Sequence, residues 1–388
     1  MADPNTTATL ARMPTEILCM VKPHLGDADL SSITRVSKRL RRMFLPLHFR
    51  DVLLRGNMAQ LSLRLASFLD EQSVSIPGPI CQYVEIVHFR ITGTDESDQT
   101  AVCLATEKTI ELIGDFFRKA PGLRHAAFNF WTVNNDPQKA QFTRLLGNTD
   151  QWSGPRSVYL HDIDLDTTRA IIHHCVPEAL EAVRITSRYG SDEYNVLKSH
   201  CPTLKRLYVA DPGRRSHGNT ARLVVPSMDH SVVDAINADF SQLEWLVIKE
   251  GGLRRSSHIR RPGSQSREHL NHLDQIIETL IESLRAMPHL TRFACTLARQ
   301  ELHNCLIRQD WSRAGGRGLT EAELDAWYSA LILRISNSVP RLEQLCIESH
   351  LCVSYRGTKT PGQTDMEIRR EESDEAGQRY RFPLMLVD

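Results

Sequence analysis

Histidine beside cysteine is a pairing that can hold zinc, and this chain has it twice, at His173-His174-Cys175 and at His200-Cys201. Local zinc sites use CxxC or HxxxH spacing, which turns two ligands toward one point. Neither spacing occurs at these residues. Both runs fall at the C-terminal ends of predicted helices, where imidazole meets the negative end of the helix dipole and cysteine packs as a small apolar side chain. Packing is therefore the preferred reading. Asp162, Asp164 and Asp166 alternate with apolar residues as a strand end does, with Asp166 placed to cap a helix. They lack the glycine and the distal glutamate of a calcium loop. No GxSxG, P-loop or HExxH motif occurs, and no GxGxxG sits between strand and helix. No catalytic, cofactor-binding or metal-ligating residue is expected, and no cofactor.

Bulk properties exclude more than they select. The chain has 388 residues, room for two or more domains, with 41% hydrophobic and 24% charged residues. Those fractions are ordinary for a globular protein. A formal net charge of zero gives no global pull toward nucleic acid or an anionic membrane. No apolar run is long enough to span a bilayer, and MADPNTTATL lacks the charged and apolar regions of a secretory signal. Nine scattered cysteines fit reduced thiols in the cytoplasm or nucleus.

The elements that would position any site follow from a recurring pattern. Helix-like segments lead into short strands of the form apolar-x-x-apolar-x-apolar. The clear copies start at Leu180, Leu204, Leu243 and Leu342, and a weaker one at Leu290; Val84 and Leu123 start earlier ones, and Val158 to Ile163 is a doubtful member. Pro121, Pro202, Pro288 and Pro340 each stand two residues before the leading Leu, stopping the preceding helix. Predicted helices cover 107–119, 167–175, 192–201, 231–240, 269–287 and 320–339; Thr320 and Glu323 have the form of a capping box. Strand and helix in alternation imply parallel strands stacked as a solenoid. A hairpin of 367–371 with 379–387 is expected to cap its end.

Between repeats, Gly251 to Arg267 is rich in Gly, Ser and Arg. Its arginine forks would match phosphate, but a solvated loop is the preferred reading. Gly315 to Gly318 is a shorter loop of the same kind. Among the tryptophans, Trp245 lies within a repeat strand and could anchor a partner; Trp131 could sit at a rim. Core packing is expected for most of the five.

Residues 10 to 50 read as three short amphipathic helices. Met13-Pro14 starts the first, with Ile17, Leu18, Val21 and Leu25 apolar; Asp27 and Asp29 precede Leu30, Ile33 and Val36; Leu40, Met43, Phe44 and Leu47 complete the stripe. Pro23 should end the first helix early. The run Lys38-Arg39-Leu40-Arg41-Arg42 reads as the solvated face of the third helix. Three helices in about forty residues make a small core.

This stretch resembles an F-box through Met13-Pro14, Glu16, Ile17-Leu18, Leu25, Asp29-Leu30 and Val36-Ser37-Lys38-Arg39-Leu40-Arg41. It departs from the family at Met13, Ser37, Leu40 and Pro23. The strand repeats resemble degenerate leucine-rich repeats of the kind found behind F-boxes in fungal proteins. Their spacing runs from 24 residues (Leu180 to Leu204) to 52 (Leu290 to Leu342), and the usual Asn or Cys after the strand is missing.

Together these resemblances imply a small all-α F-box followed by an α/β leucine-rich-repeat-like solenoid with a parallel sheet. The expected boundaries are a tail at 1–9, the F-box at 10–56, a linker at 57–79, repeats at 80–356 and a capping hairpin or tail at 357–388. The implied role is non-enzymatic: a substrate-recognition subunit of a Skp–cullin–F-box ubiquitin ligase. It would bind the Skp-type adaptor, and through it a cullin, and hold a protein substrate on the repeats. Pro14, Ile17, Leu18, Leu30, Ile33, Val36 and Leu40 match the family's apolar positions. Each either contacts the adaptor or closes the module's own core. Alternatives are a non-ligase scaffold built from the same modules and an enzyme on an α/β fold, which would need a polar pocket.

Overall fold

The computed structural model describes residues 13–21, 25–70, 80–92, 99–131, 137–147, 150–161, 163–187, 190–211, 230–250, 266–297, 320–349, 353–360, 363, 365–372, 382–383 and 385–386. The basic run 251–265 and the Gly-rich loop 315–318 lie outside them. The chain divides into two compact units: residues 1–156 with 174–179, and 157–173 with 180–388.

The first unit opens with three helices, α1 (Thr15–Val21), α2 (Asp27–Val36) and α3 (Lys38–His48). Pro14 precedes the first helical residue, and its carbonyl accepts the Leu18 N–H at 3.2 Å. Helix α1 is described to Val21; Pro23 lies outside the described residues. At α2 the Asp29 carboxylate reaches back to the Gly26 N–H at 3.1 Å, placing negative charge at the positive end of the dipole. The extended backbone of Ser37 separates α2 from α3, and its hydroxyl accepts the Leu40 N–H at 3.2 Å. The basic run is more than a solvated face: Arg39 donates to the Met13 carbonyl at 2.9 Å, and Arg41 to the Thr34 carbonyl at 2.9 Å. These bonds tie α3 to the chain ahead of α1 and to α2.

Residues 51–69, expected as the end of the helical module and the start of a linker, are β1 (Asp51–Gly56) and α4 (Met58–Leu69). β1 pairs parallel with β2 (Ile86–Thr92), and β2 with β3 (His125–Trp131). Val52 and Leu54 are buried from β1, and Met58, Leu61, Leu65 and Leu69 from α4. Between them Gly56 turns the chain at φ 155°, where a side chain would be strained. Asn57 and Gln60 then close a reciprocal cap at 2.9 and 3.2 Å. Phe49 and Phe68 meet edge to face at 6.1 Å, and Phe68 reaches Phe116 of α5 (Gln99–Lys119) at 5.8 Å. The helical module thus runs into β1 without a spacer. A further helix, α6 (Pro137–Leu146), buries Phe142 against Phe130. Trp152 stacks on Phe128 at 5.6 Å and meets Phe117 at 5.1 Å, so it belongs to the core.

The second unit alternates β4 (Ser157–His161), α7 (Leu165–His174), β5 (Ala182–Ile185), α8 (Asp192–His200), β6 (Arg206–Asp211), α9 (His230–Asp239) and β7 (Trp245–Glu250). It continues through α10 (Ser266–Ala286), β8 (Arg292–Thr296), α11 (Glu321–Ser338) and β9 (Gln344–Ser349). From β4 to β9 each strand pairs parallel with the next. Every predicted repeat strand forms, the doubtful Val158 copy included. The leading and second apolar residues, Leu180 and Val183 through Leu342 and Leu345, are fully or nearly fully buried.

The prolines do more than stop helices. The N–H of Leu204, Leu243, Leu290 and Leu342 bonds the carbonyl three residues earlier, at Cys201, Phe240, Met287 and Val339. Pro202, Pro288 and Pro340 therefore hold the second position of a β-turn, where a fixed φ suits them. One carbonyl just ahead of each strand then accepts two successive N–H groups of the next repeat. Glu181 takes Lys205 and Arg206, Lys205 takes Glu244 and Trp245, and Glu244 takes Thr291 and Arg292. In the first unit Arg50 takes Glu85 and Ile86 in the same way, which marks β1 as a repeat strand.

A hairpin does end the sheet, one strand earlier than expected: β10 (Val353–Lys359) pairs antiparallel with β9, and β11 (Met366–Glu372) with β10. Gly357 permits this packing, since a Cβ there would lie 2.7 Å from both Ile332 and Met366. β11 carries Glu367, Arg369, Arg370, Glu371 and Glu372, the charged dress of a protected sheet edge. Phe382, Pro383, Met385 and Leu386, expected within a hairpin strand, are instead buried.

Candidate interaction surfaces

In the helical module, the seven residues matched to an adaptor-binding pattern part into two sets. Leu18, Leu30 and Leu40 join Phe44 in a closed core, with Ile33 partly buried against it. They are the module's own interior. Pro14 is exposed, as are Ile17 at 44% and Val36 at 65%. Met20, absent from the matched set, is 70% exposed one turn beyond Ile17 on α1. The signal for it was available: Ile17 and Met20 stand three apart, and so share a helix face distinct from that of Leu18.

The histidine and cysteine runs resolve into packing. His173 stacks on His200 with ring centroids 4.7 Å apart. His174 meets Trp152 edge-on at 4.7 Å, and the Trp152 N–H bonds the His174 carbonyl at 2.7 Å. Burial, the His200 ring and Arg169 hold the His173 pKa below its usual value. Burial likewise lowers that of His174, against the opposing pull of Asp150. Cys175 and Cys201 are buried, and burial pushes the Cys201 thiol up to about 12, far from a ligating thiolate. The helix cap expected from Asp166 comes from Asp164, whose carboxylate accepts the Thr167 N–H at 2.9 Å. Asp166 lies inside the first turn, 3.5 Å from Arg169. Among the described residues no three His, Cys, Asp or Glu side chains converge as a metal site.

In the second unit, the sheet face turned from the helices carries the most distinctive chemistry. Strand alternation sends Leu207, Leu246 and Phe293 to the helices and their neighbours to the other face. Register aligns Arg206, Trp245, Arg292 and Gln344 in one row. In it the Trp245 ring lies between two guanidiniums, Arg206 at 4.1 Å and Arg292 at 3.9 Å. The next row aligns Tyr159, Arg184, Tyr208 and Val247, and here the order inverts. Arg184 lies between two rings, Tyr159 at 4.1 Å and Tyr208 at 4.0 Å. Each such contact contributes about 0.5–2 kcal/mol, more as water is excluded. Trp245 was marked from the sequence; the arginines beside it escaped notice because each occupies the variable position between two apolar ones.

Phe382 to Leu386 covers this face. Phe382 and Leu386 join Tyr208, Trp245, Val247, Ala294 and Cys346 in one apolar cluster. The Phe382 ring meets Trp245 edge to face at 5.9 Å. Arg206 donates to the Leu386 carbonyl at 2.9 Å, and Arg356 donates to the Phe382 carbonyl. Arg356 is fixed in turn by Glu371 at 2.9 Å, and Lys249 by Glu348 at 2.5 Å. Tyr208 stays protonated because burial raises its pKa. For Lys249, burial pulls the pKa down, but the Glu348 carboxylate holds the ammonium by charge and by a hydrogen bond. The face is an apolar bed with cationic forks aimed at backbone carbonyls.

No protein-family model matches this chain, and no curated protein is significantly similar to it. Among the described residues no helix is long and apolar enough to cross a membrane.

Proposed function

We propose that the chain is a substrate-receptor subunit of a Skp–cullin–F-box type ubiquitin ligase, with residues 13–48 docking the Skp-type adaptor and the sheet of the second unit holding a protein substrate. One observation carries the first half. The three helices complete a core from Leu18, Leu30, Leu40 and Phe44, yet leave Ile17, Met20 and Val36 in solvent. Exposed apolar side chains on so small a module are what a docking helix offers to a partner. The resemblance in the order Met13-Pro14, Ile17-Leu18, Asp29-Leu30 and Val36 supports the identity of that partner. A rigid sheet suits the second half, since such a subunit contributes proximity and orientation and leaves the chemistry to other subunits.

The test uses the purified chain and a Skp-type adaptor in isothermal titration. Ile17→Asp with Met20→Asp changes only exposed side chains and should weaken binding by at least about thirtyfold, the loss of roughly 2 kcal/mol at an interface centre. Leu18 is unsuitable, because its removal would test folding. A folded wild type that fails to bind the adaptor would remove the ligase reading and leave a free-standing scaffold.

A further inference from the structure

We propose that the β4–β5 end of the second unit's sheet face, centred on Arg184, recognises an acidic segment of the substrate protein through an aspartate or glutamate carboxylate. The inference rests on the reading of this sheet as a substrate-holding surface, and it names the chemistry of what is held.

Charge points to the ligand. Strand alternation turns Arg184, Arg206, Lys249 and Arg292 of β5–β8 away from the helices. Among the described residues of β4–β9, the carboxylate on that face is Glu348, held by Lys249 at 2.5 Å. The face is therefore positive, although the chain as a whole is neutral. Surplus charge of one sign opposes the compact state, and a bound anion relieves it. Exposure then selects the place. Trp245, Val247, Ala294 and Cys346 are buried in the cluster with Phe382 and Leu386, whereas Tyr159, His161, Arg184 and Thr186 are partly exposed.

Arg184 is prepared for such a ligand. Its guanidinium carbon lies 4.1 Å from the Tyr159 ring centroid and 4.0 Å from that of Tyr208, so rings on two sides hold the group before anything binds. Less side-chain freedom is then lost on binding, and the arginine fork matches the two oxygens of a carboxylate. Tyr159 and His161, joined at 3.0 Å between hydroxyl and Nδ1, place further polar hydrogens beside it and no negative charge. The same geometry disfavours a nucleic acid. Bases stack on open ring faces, and here Tyr208 and Trp245 are buried with guanidiniums over them.

The probe is a phage-displayed library of random peptides, selected at low salt on the immobilised full-length chain. The recovered peptides should be enriched in Asp and Glu over the input library. The most enriched one, made with a fluorescein label, should bind at least about tenfold more weakly to Arg184→Gln. Thr186→Glu, which sets a carboxylate of the chain's own beside Arg184, should weaken it similarly, while the uncharged Thr186→Gln keeps the affinity. If Arg184→Gln no longer melts cooperatively, the two Thr186 variants decide alone. Enriched peptides without an acidic excess, or equal affinity for the Thr186→Glu and Thr186→Gln chains, would overturn the inference and leave the sheet a protein-binding surface. No enrichment at all would remove the substrate-holding reading itself, and this inference with it.

Discussion

The Arg206 guanidinium carbon lies over the Trp245 ring, 4.1 Å from its centroid, while an N–H of the same group donates to the Leu386 carbonyl at 2.9 Å. The two contacts use different parts of one planar group, its face and its rim. Only arginine can do both, because an ammonium presents a point charge with no plane to stack.

Arg206→Lys should therefore be costly despite keeping the charge. Losing the stack and one charge-assisted hydrogen bond is expected to destabilise the second unit by about 1–3 kcal/mol. For a unit of this size the melting midpoint should fall by several degrees, at about 2–4 °C per kcal/mol. Differential scanning calorimetry against the wild type checks it. An unchanged midpoint would mean that the stack contributes nothing.

Leucines that look alike in sequence should differ sharply. Leu207 is fully buried between sheet and helices, whereas Leu63 on α4 is 72% exposed. Leu207→Ala should cost about 2–5 kcal/mol through lost burial and the cavity left behind. Leu63→Ala should stay within about 0.5 kcal/mol of the wild type, since it removes no core contact. Urea denaturation of both variants measures the contrast.

The repeat strands were legible because each advertises itself twice, by two apolar residues that must face the helices and by the β-turn before them. Leu204, Leu290 and Leu342 follow a proline that fixes that turn. β1 escaped because Val52 and Leu54 alternate over only six residues and follow α3 with no proline or glycine between. Over 50–69 the sequence reads as a helical or mixed register with Leu61, Leu65, Phe68 and Leu69 apolar, which anticipates the buried stripe of α4 but not where the strand ends and the helix starts. In the helical module, periodicity identified the apolar residues but could not divide Ile17 from Leu18, which are neighbours in every matched pattern. Only helix geometry separates them. The cover over Trp245 was illegible for another reason: Arg206 and Arg356 bind carbonyls, and a carbonyl acceptor leaves no mark on sequence.

Acid should destabilise the fold through the histidines that packed in place of binding metal. His173 and His174 both have folded-state pKa values below the unfolded reference, for which burial is the first cause. Between the folded and unfolded values the unfolded chain binds more protons, so stability rises with pH across that window. Their contribution is whole above about pH 6.5 and is lost as pH falls below it. Melting followed from pH 7.5 to 5 should show a falling midpoint, shallower in His173→Gln/His174→Gln. A slope identical in that variant would assign the acid sensitivity to other groups.

Thiol chemistry offers a view of the covered sheet face. Burial raises the Cys201 and Cys346 thiols to about 12, so almost no thiolate exists at pH 8, and both side chains are shielded from solvent. Cys103 is only partly buried, on α5 with Gln141 alongside. Iodoacetamide at pH 8 should therefore modify Cys103 well before Cys201 or Cys346, as peptide mass mapping would report. The two protected thiols have different covers. Cys201 opens the turn to Leu204, at the end of α8, whereas Cys346 lies in the cluster with Phe382 and Leu386. Loosening that segment by Phe382→Ala/Leu386→Ala should speed labelling at Cys346 and leave Cys201 as slow as before. Equal acceleration at both would signal general unfolding. No acceleration at Cys346 would show that its protection comes from the sheet and not from the segment laid across it.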